Sequence, residues 1–173
     1  MNEPSAVRGD KARVTVHVAV DPAVAFEVFT EETDLWWRRG PRYRMAGKSP
    51  GSLQFEPEVG GRLFERIEAP SGPRIVEVGR VRVWEPPARL VFEWRNTVFA
   101  PGETTEVEVL FERIASGTRV TVEHRGWAAI RPDHPARHGQ DTTAFLRSLG
   151  TWWGDLMTSL REHAAARQAG SEG

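Results

Sequence analysis

Between Asp141 and about Arg167, the residues Phe145, Leu149, Trp152, Trp153, Leu156, Met157 and Leu160 recur at spacings of three and four. That period predicts one long amphipathic helix, about 40 Å at ~1.5 Å per residue, with an apolar stripe that another part of the chain must cover. What precedes it is mostly strand. Residues 11–20 alternate, with Val14, Val16, Val18 and Val20 on one side and Arg13, Thr15, His17 and Ala19 on the other. Six further strand patterns follow at 52–56, 62–67, 74–84, 89–95, 106–114 and 118–124. Turn chemistry separates them, at Gly60-Gly61, Ser71-Gly72-Pro73, Pro86-Pro87, Pro101-Gly102 and Ser116-Gly117. Connections this short join antiparallel neighbours. Asp21-Pro22 opens a short helix over 22–30, with Asp as N-cap and Pro at the first helical position. A second short helix covers 32–37.

The order is therefore one strand, two short helices, six strands and one long helix. It predicts an α+β fold in which a curved antiparallel sheet of about seven strands wraps the long C-terminal helix. Gly79 interrupts the alternation of its strand and predicts a bulge where the sheet bends. The stretch 38–50 reads as a loop, and the polar, Pro- and His-rich stretch 131–139 as a surface loop. Residues 11–167 form a single domain, with 1–10 and 168–173 as flexible ends.

Charge and composition narrow the function classes. With a formal charge of −1, the chain has no overall field to draw it to nucleic acid or to an anionic membrane. It contains 0 cysteines, which excludes disulfides, thiolate nucleophiles and cysteine-ligated metals and fits a reducing cytoplasm. Met1-Asn2-Glu3-Pro4 lacks the basic start and apolar run of a signal peptide. Seven Trp beside a single Tyr, Tyr43, exceed the needs of a modest core, so some of them are expected to line a cavity.

No nucleophile elbow, phosphate loop, dinucleotide fingerprint or zinc-protease motif is present. His134 and His138 are four apart, but Pro132 and Pro135 break any helix that would align them, so no metal site is expected. His17 and His163 read as surface residues. His124 shares strand parity with Val120 and Val122 and points inward, where it is the one candidate for acid–base chemistry. Glu65 and Glu93 alternate with Phe64 and Phe92, which places the two carboxylates towards solvent. Arg38, Arg39, Arg42, Arg44 and Lys48 bring five cations and no acid to one loop, a candidate contact for an anion or an acidic partner.

Several segments, in chain order, also match a known pattern. They are Asp21-Pro22-Ala23-Val24-Ala25-Phe26, Leu35-Trp36-Trp37, Glu58-Val59-Gly60-Gly61-Arg62, the run from Trp84-Glu85-Pro86-Pro87 to Phe92-Glu93-Trp94, and Gly117-Thr118-Arg119-Val120-Thr121-Val122-Glu123-His124 with Gly126-Trp127 after it. Together they resemble the SRPBCC (START-like) superfamily, in the branch similar to the C-terminal domain of the activator of heat-shock protein 90 ATPase. The resemblance implies the helix-grip fold. It also implies a range of roles, since the superfamily includes co-chaperone domains, lipid and hormone carriers and aromatic polyketide cyclases, with no shared catalytic set.

The expectation is a binding module that holds a small apolar or aromatic ligand between sheet and long helix. Its walls would be Trp37, Phe64, Phe92, Trp94, Trp127, Trp153 and Met157, with His124 as polar handle. One alternative is a cyclase-like or hydrolase-like enzyme using His124 as acid or base. Another is a co-chaperone or interaction domain acting through Arg38, Arg39, Arg42 and Arg44. No cofactor, nucleic-acid or membrane partner is expected, and the chain should be a cytoplasmic monomer or homodimer.

Overall fold

Asp21 sets the first turn of the chain: its Oδ1 accepts the Val24 N–H at 3.0 Å while Pro22 begins the helix. The structure is a computed structural model and describes residues 11–95 and 97–171. Its elements are β1 (Ala12–Val18), α1 (Pro22–Glu31), α2 (Thr33–Trp36), β2 (Gly51–Phe55), β3 (Arg62–Ala69), β4 (Gly72–Glu85), β5 (Arg89–Trp94), β6 (Thr105–Ile114), β7 (Gly117–Arg125) and α3 (Thr142–Ser171). Residues 1–10, read from sequence as a flexible end, lie outside the described residues, as do 172–173. The helix α3 runs four residues beyond the expected Arg167, so 168–171 are helical.

The seven strands form one antiparallel sheet in the order β1-β7-β6-β5-β4-β3-β2. The chain returns its first strand to the side of its last, Val14 opposite Val122 and Val16 opposite Val120. Curvature comes from two irregularities in β4. One falls where Leu63 pairs with Gly79 and Phe64 with Glu77, the other between Val81 and Val83. The expected bulge is therefore present, centred on Val78 beside Gly79.

The sheet curls around α3. Trp153, Leu156, Met157, Leu160 and Ala164 are buried against Phe92, Val107, Val109, Val120 and Val122. Each large apolar side chain buried in this way contributes about 1.5–3 kcal/mol. The helix α1 closes the other flank, with Phe26 edge-on to Trp84 and against Phe111, both at 5.1 Å between ring centroids. Among the described residues no helix is long and apolar enough to cross a membrane.

Burial along α3 is uneven, and that decides where the interesting space lies. From Trp153 onward the stripe is enclosed, but Leu149 and Trp152 are only half-buried. Phe145 turns away to a second small core with Phe99, Trp127, Ile130 and Ala136. This second core corrects the reading of 131–139 as a surface loop. His134, Ala136 and Arg137 are buried there, His134 capping and the other two within the second of two short 3-10 turns, Trp127–Ala129 and Pro135–Arg137. The reason is hydrogen bonding: Arg137 donates through Nη2 to the carbonyls of Trp127 and Ile130, both at 2.7 Å, and through Nη1 to Thr142 at 3.0 Å. His134 accepts the Ala136 N–H on Nδ1, so its Nε2 proton goes to Glu103 at 3.0 Å and ties this strap to the β5–β6 loop.

Candidate functional site

Where the N-terminal half of α3 parts from the sheet, a cleft of about 620 Å³ opens, partly exposed to solvent. The bent middle of β4 contributes Val78, β5 contributes Trp94, β7 contributes His124, and α3 contributes Phe145, Leu149 and Trp152. The loop 38–50 and the strap at 135–140 form its rim. Trp37, Trp94 and Trp152 stand against one another at 5.7–6.0 Å between centroids, with Trp37 and Trp94 stacked.

The rim loop is held by hydrogen bonds to indoles and carboxylates. Trp37 Nε1 donates to the Tyr43 carbonyl at 3.0 Å and Trp152 Nε1 to the Arg42 carbonyl at 2.8 Å. The Tyr43 hydroxyl donates to Asp155 at 3.0 Å; burial and that carboxylate together push the phenol above its ordinary range.

Of the wall residues expected from sequence, Trp37, Trp94, His124 and Trp127 line the cleft. Phe92, Trp153 and Met157 are fully buried in the main core instead. Phe64 is corrected outright: the inward set of β3 is Leu63, Glu65 and Ile67, and Phe64 lies on the outer face beneath the Arg62 guanidinium, 4.8 Å from its ring. The same parity overturns the solvent reading of Glu65, which is 4 % exposed and lines the cleft. Its Oε2 accepts the Met45 N–H at 2.7 Å and its Oε1 the Ala46 N–H at 3.1 Å, so a buried carboxylate anchors the rim loop. Glu93 is half-buried on the outer face and pairs with Arg82.

His124 is 0 % exposed and points inward as expected, but it is not poised for proton transfer. Trp153 Nε1 is a donor only, so Nδ1 must accept its proton, at 3.2 Å. Nε2 then donates to Thr105 Oγ1 at 2.7 Å, and that hydroxyl donates to the Trp94 carbonyl at 3.2 Å. Burial pushes the imidazole from 6.5 down to about 3. A ring that is neutral, enclosed and bonded at both nitrogens orders the wall; it has no free position for a substrate.

The arginines of the loop also meet acids and carbonyls of the chain itself. Arg44 is 6 % exposed and bonds Asp34 at 2.5 Å and the carbonyls of Trp37, Arg38 and Asp34. Arg39 reaches Asp34 and the Gly51 carbonyl, Arg38 the Asp155 carbonyl, and Arg42 lies 3.8 Å from Asp155. The run looked unopposed because its acids come from α2 and α3. Burial alone would raise the Asp34 carboxyl, but its bonds to Arg44 and to Leu53 N–H, with the charges of Arg44 and Arg39, hold it below the ordinary carboxylate range. Arg44→Met is therefore expected to cost about 2 kcal/mol, discounted for the partial exposure of Asp34. Urea unfolding checks this, and an unchanged midpoint would mean that the Arg44–Asp34 pair adds nothing to stability.

The family described as activator of Hsp90 ATPase homolog 1-like protein matches residues 19–152. No curated protein matches the chain. Among solved structures, a protein from Rhodobacter sphaeroides is similar at 22 % identity, with a TM-score of 0.61 over 91 % of this chain and 93 % of its own. DynU16, from the dynemicin biosynthetic locus, is similar at 21 % identity and a TM-score of 0.59, over 89 % of this chain and 46 % of its own. The Aha1 dimer from Colwellia psychrerythraea is similar at 15 % identity and a TM-score of 0.55, over 88 % of this chain and 93 % of its own.

Proposed function

The chain belongs to the family of activator of Hsp90 ATPase homolog 1-like proteins, and from that premise we propose that it is a binding module for a small aromatic ligand seated in the α3 cleft. The observation that carries this reading is the parting of helix and sheet at Leu149 and Trp152. It leaves half-buried Trp94 and Trp152 facing a space of about 620 Å³, within the usual range for a ligand pocket. A wall of apolar rings with few polar groups favours a flat aromatic guest, held by stacking and by displacement of water. The enclosed state of His124 supports binding over turnover. The module is proposed to act in the cytoplasm, as a monomer or homodimer.

The test is a tryptophan-fluorescence titration with an aromatic hydrocarbon such as tetralin, repeated on Leu149→Trp. The added indole should fill the cleft and weaken binding at least tenfold with the melting temperature kept. Undiminished affinity in that variant would place the ligand elsewhere.

A further inference from the structure

Glu65 is a charged group of the cleft whose hydrogen bonding the protein leaves unfinished. It stands on the inward side of β3 with Leu63 and Ile67, is 4 % exposed, and lines the cleft, as do Leu53, Val78 and Met45. Its backbone is flanked on both sides, by Leu53 of β2 and Val76 of β4, so what it presents to the cleft is its side chain.

A carboxylate accepts about four hydrogen bonds, and here two come from the Met45 and Ala46 N–H groups. Among the described residues no cation pairs with it. Arg44, on the same loop, is committed to the Asp34 carboxylate and to the carbonyls of Asp34, Trp37 and Arg38. The remaining lone pairs of Glu65 are left to water or to a guest. A hydrocarbon guest would displace the water and replace none of its bonds, so a donor on the guest gains directly.

The surroundings also select the charge of that donor. An anionic group would meet the Glu65 charge. An ammonium would carry three donors into an apolar space whose lining already includes Arg42 and Arg44. A hydroxyl brings one donor and no charge.

We propose that Glu65 determines the specificity of the cleft, selecting an uncharged aromatic guest whose hydroxyl donates to its carboxylate. The proposal rests on the α3 cleft as the binding site. Glu65 then has two roles at once: it anchors the rim loop through two backbone N–H groups and reads the guest with the lone pairs left over.

The experiment compares four probes on one bicyclic frame. They are tetralin, tetralol with a hydroxyl, the methyl ether of tetralol with the oxygen but no donor, and aminotetralin with an ammonium. On the wild-type chain tetralol should bind about tenfold tighter than either tetralin or the ether, and tighter than aminotetralin. In Glu65→Gln the advantage of tetralol over tetralin should vanish; taking the ratio of the two Kd values cancels any general loosening of the rim loop. Should that variant fail to fold, Glu65→Asp keeps the charge and withdraws the carboxylate by one methylene, and the advantage should fall at least roughly threefold. A residue that only anchored the loop would leave the wild-type series flat. Equal Kd for tetralin and tetralol, an ether or an amine that binds as well as tetralol, or a tetralol advantage that survives in the variant overturns the inference and leaves the binding site standing. Failure of every probe to bind overturns both.

Discussion

Gly79→Ala is expected to destabilise the protein by roughly 4 kcal/mol, a loss large enough to need a specific mechanism, here backbone forced apart. A Cβ at this position would lie 1.6 Å from the Glu93 carbonyl oxygen and 2.5 Å from its carbon. Both atoms are backbone of β5, so no side chain can swing aside. Retreat is blocked too. On one flank Gly79 pairs with Leu63 of β3, and the adjacent Val78 carbonyl accepts the Arg95 N–H at 2.7 Å. Relief would break the β4–β5 ladder at the bend that carries Val78 and Trp94 into the cleft, so tetralin binding should fall with stability. The control is Gly150→Ala on α3, where a Cβ meets nothing within 4 Å and helix propensity predicts a gain of about 0.5–1 kcal/mol. Urea unfolding of both variants separates close approach from a general intolerance of side chains. A Gly79→Ala midpoint equal to wild type would mean that the strands do not meet so closely.

That glycine shows how far a sequence can be read. The bulge was legible because Gly79 broke the alternation of β4, and the turns were legible because each is written in Gly, Pro or Ser. The start of α3 was legible because Asp141 caps it, accepting the Ala144 N–H at 2.8 Å. The helix-grip architecture followed from these local signals, because an amphipathic helix and a half-apolar sheet have one economical way to cover each other. The extension of α3 to Ser171 was not legible, since Gln168, Ala169 and Gly170 carry no apolar stripe to mark it.

The cleft was half legible for a related reason. Parity on β7 turned His124 inward with Val120 and Val122, and the structure brings it beside Trp94 and Trp127. On β3 the two sides read Leu63, Glu65, Ile67 and Phe64, Arg66, Glu68, and the aromatic residue suggested the wrong one. The decisive fact is a pair of backbone N–H groups at Met45 and Ala46, about 20 positions away, which make a buried carboxylate acceptable at Glu65. Arg44 looks like a surface cation in the sequence for the same reason, because the Asp34 carboxylate and the carbonyls of Asp34, Trp37 and Arg38 reach it only after folding. Long-range hydrogen bonds leave no periodic trace, so polar residues that they rescue look like surface.

Stability should fall steeply with acid, through His124, in a window where few other groups act. In the folded state burial holds the imidazole at about 3, against 6.5 for an unburied ring. The unfolded chain therefore binds the proton first. This contribution is fully present above pH 6.5 and is lost progressively as pH falls towards 3, by about 1.4 kcal/mol per pH unit. The groups around the ring, Trp94, Trp127, Trp153 and Thr105, carry no charge that could stabilise the imidazolium. The lowered carboxyls of Asp34 and Glu108 begin to matter only at lower pH, starting from ordinary values of 3.8 and 4.5. From pH 6.5 to 5, urea unfolding should consequently show a slope that rises from about half a proton towards one. In His124→Gln, which cannot titrate, that proton should vanish from the slope. The variant should also be less stable by about 2 kcal/mol at neutral pH, because an amide does not reproduce both bonds to Trp153 and Thr105. An unchanged slope in His124→Gln would mean that the ring titrates freely in the folded protein. In that case the enclosed hydrogen-bond chain from Trp153 to Thr105 would not exist, and His124 would return as a candidate acid or base.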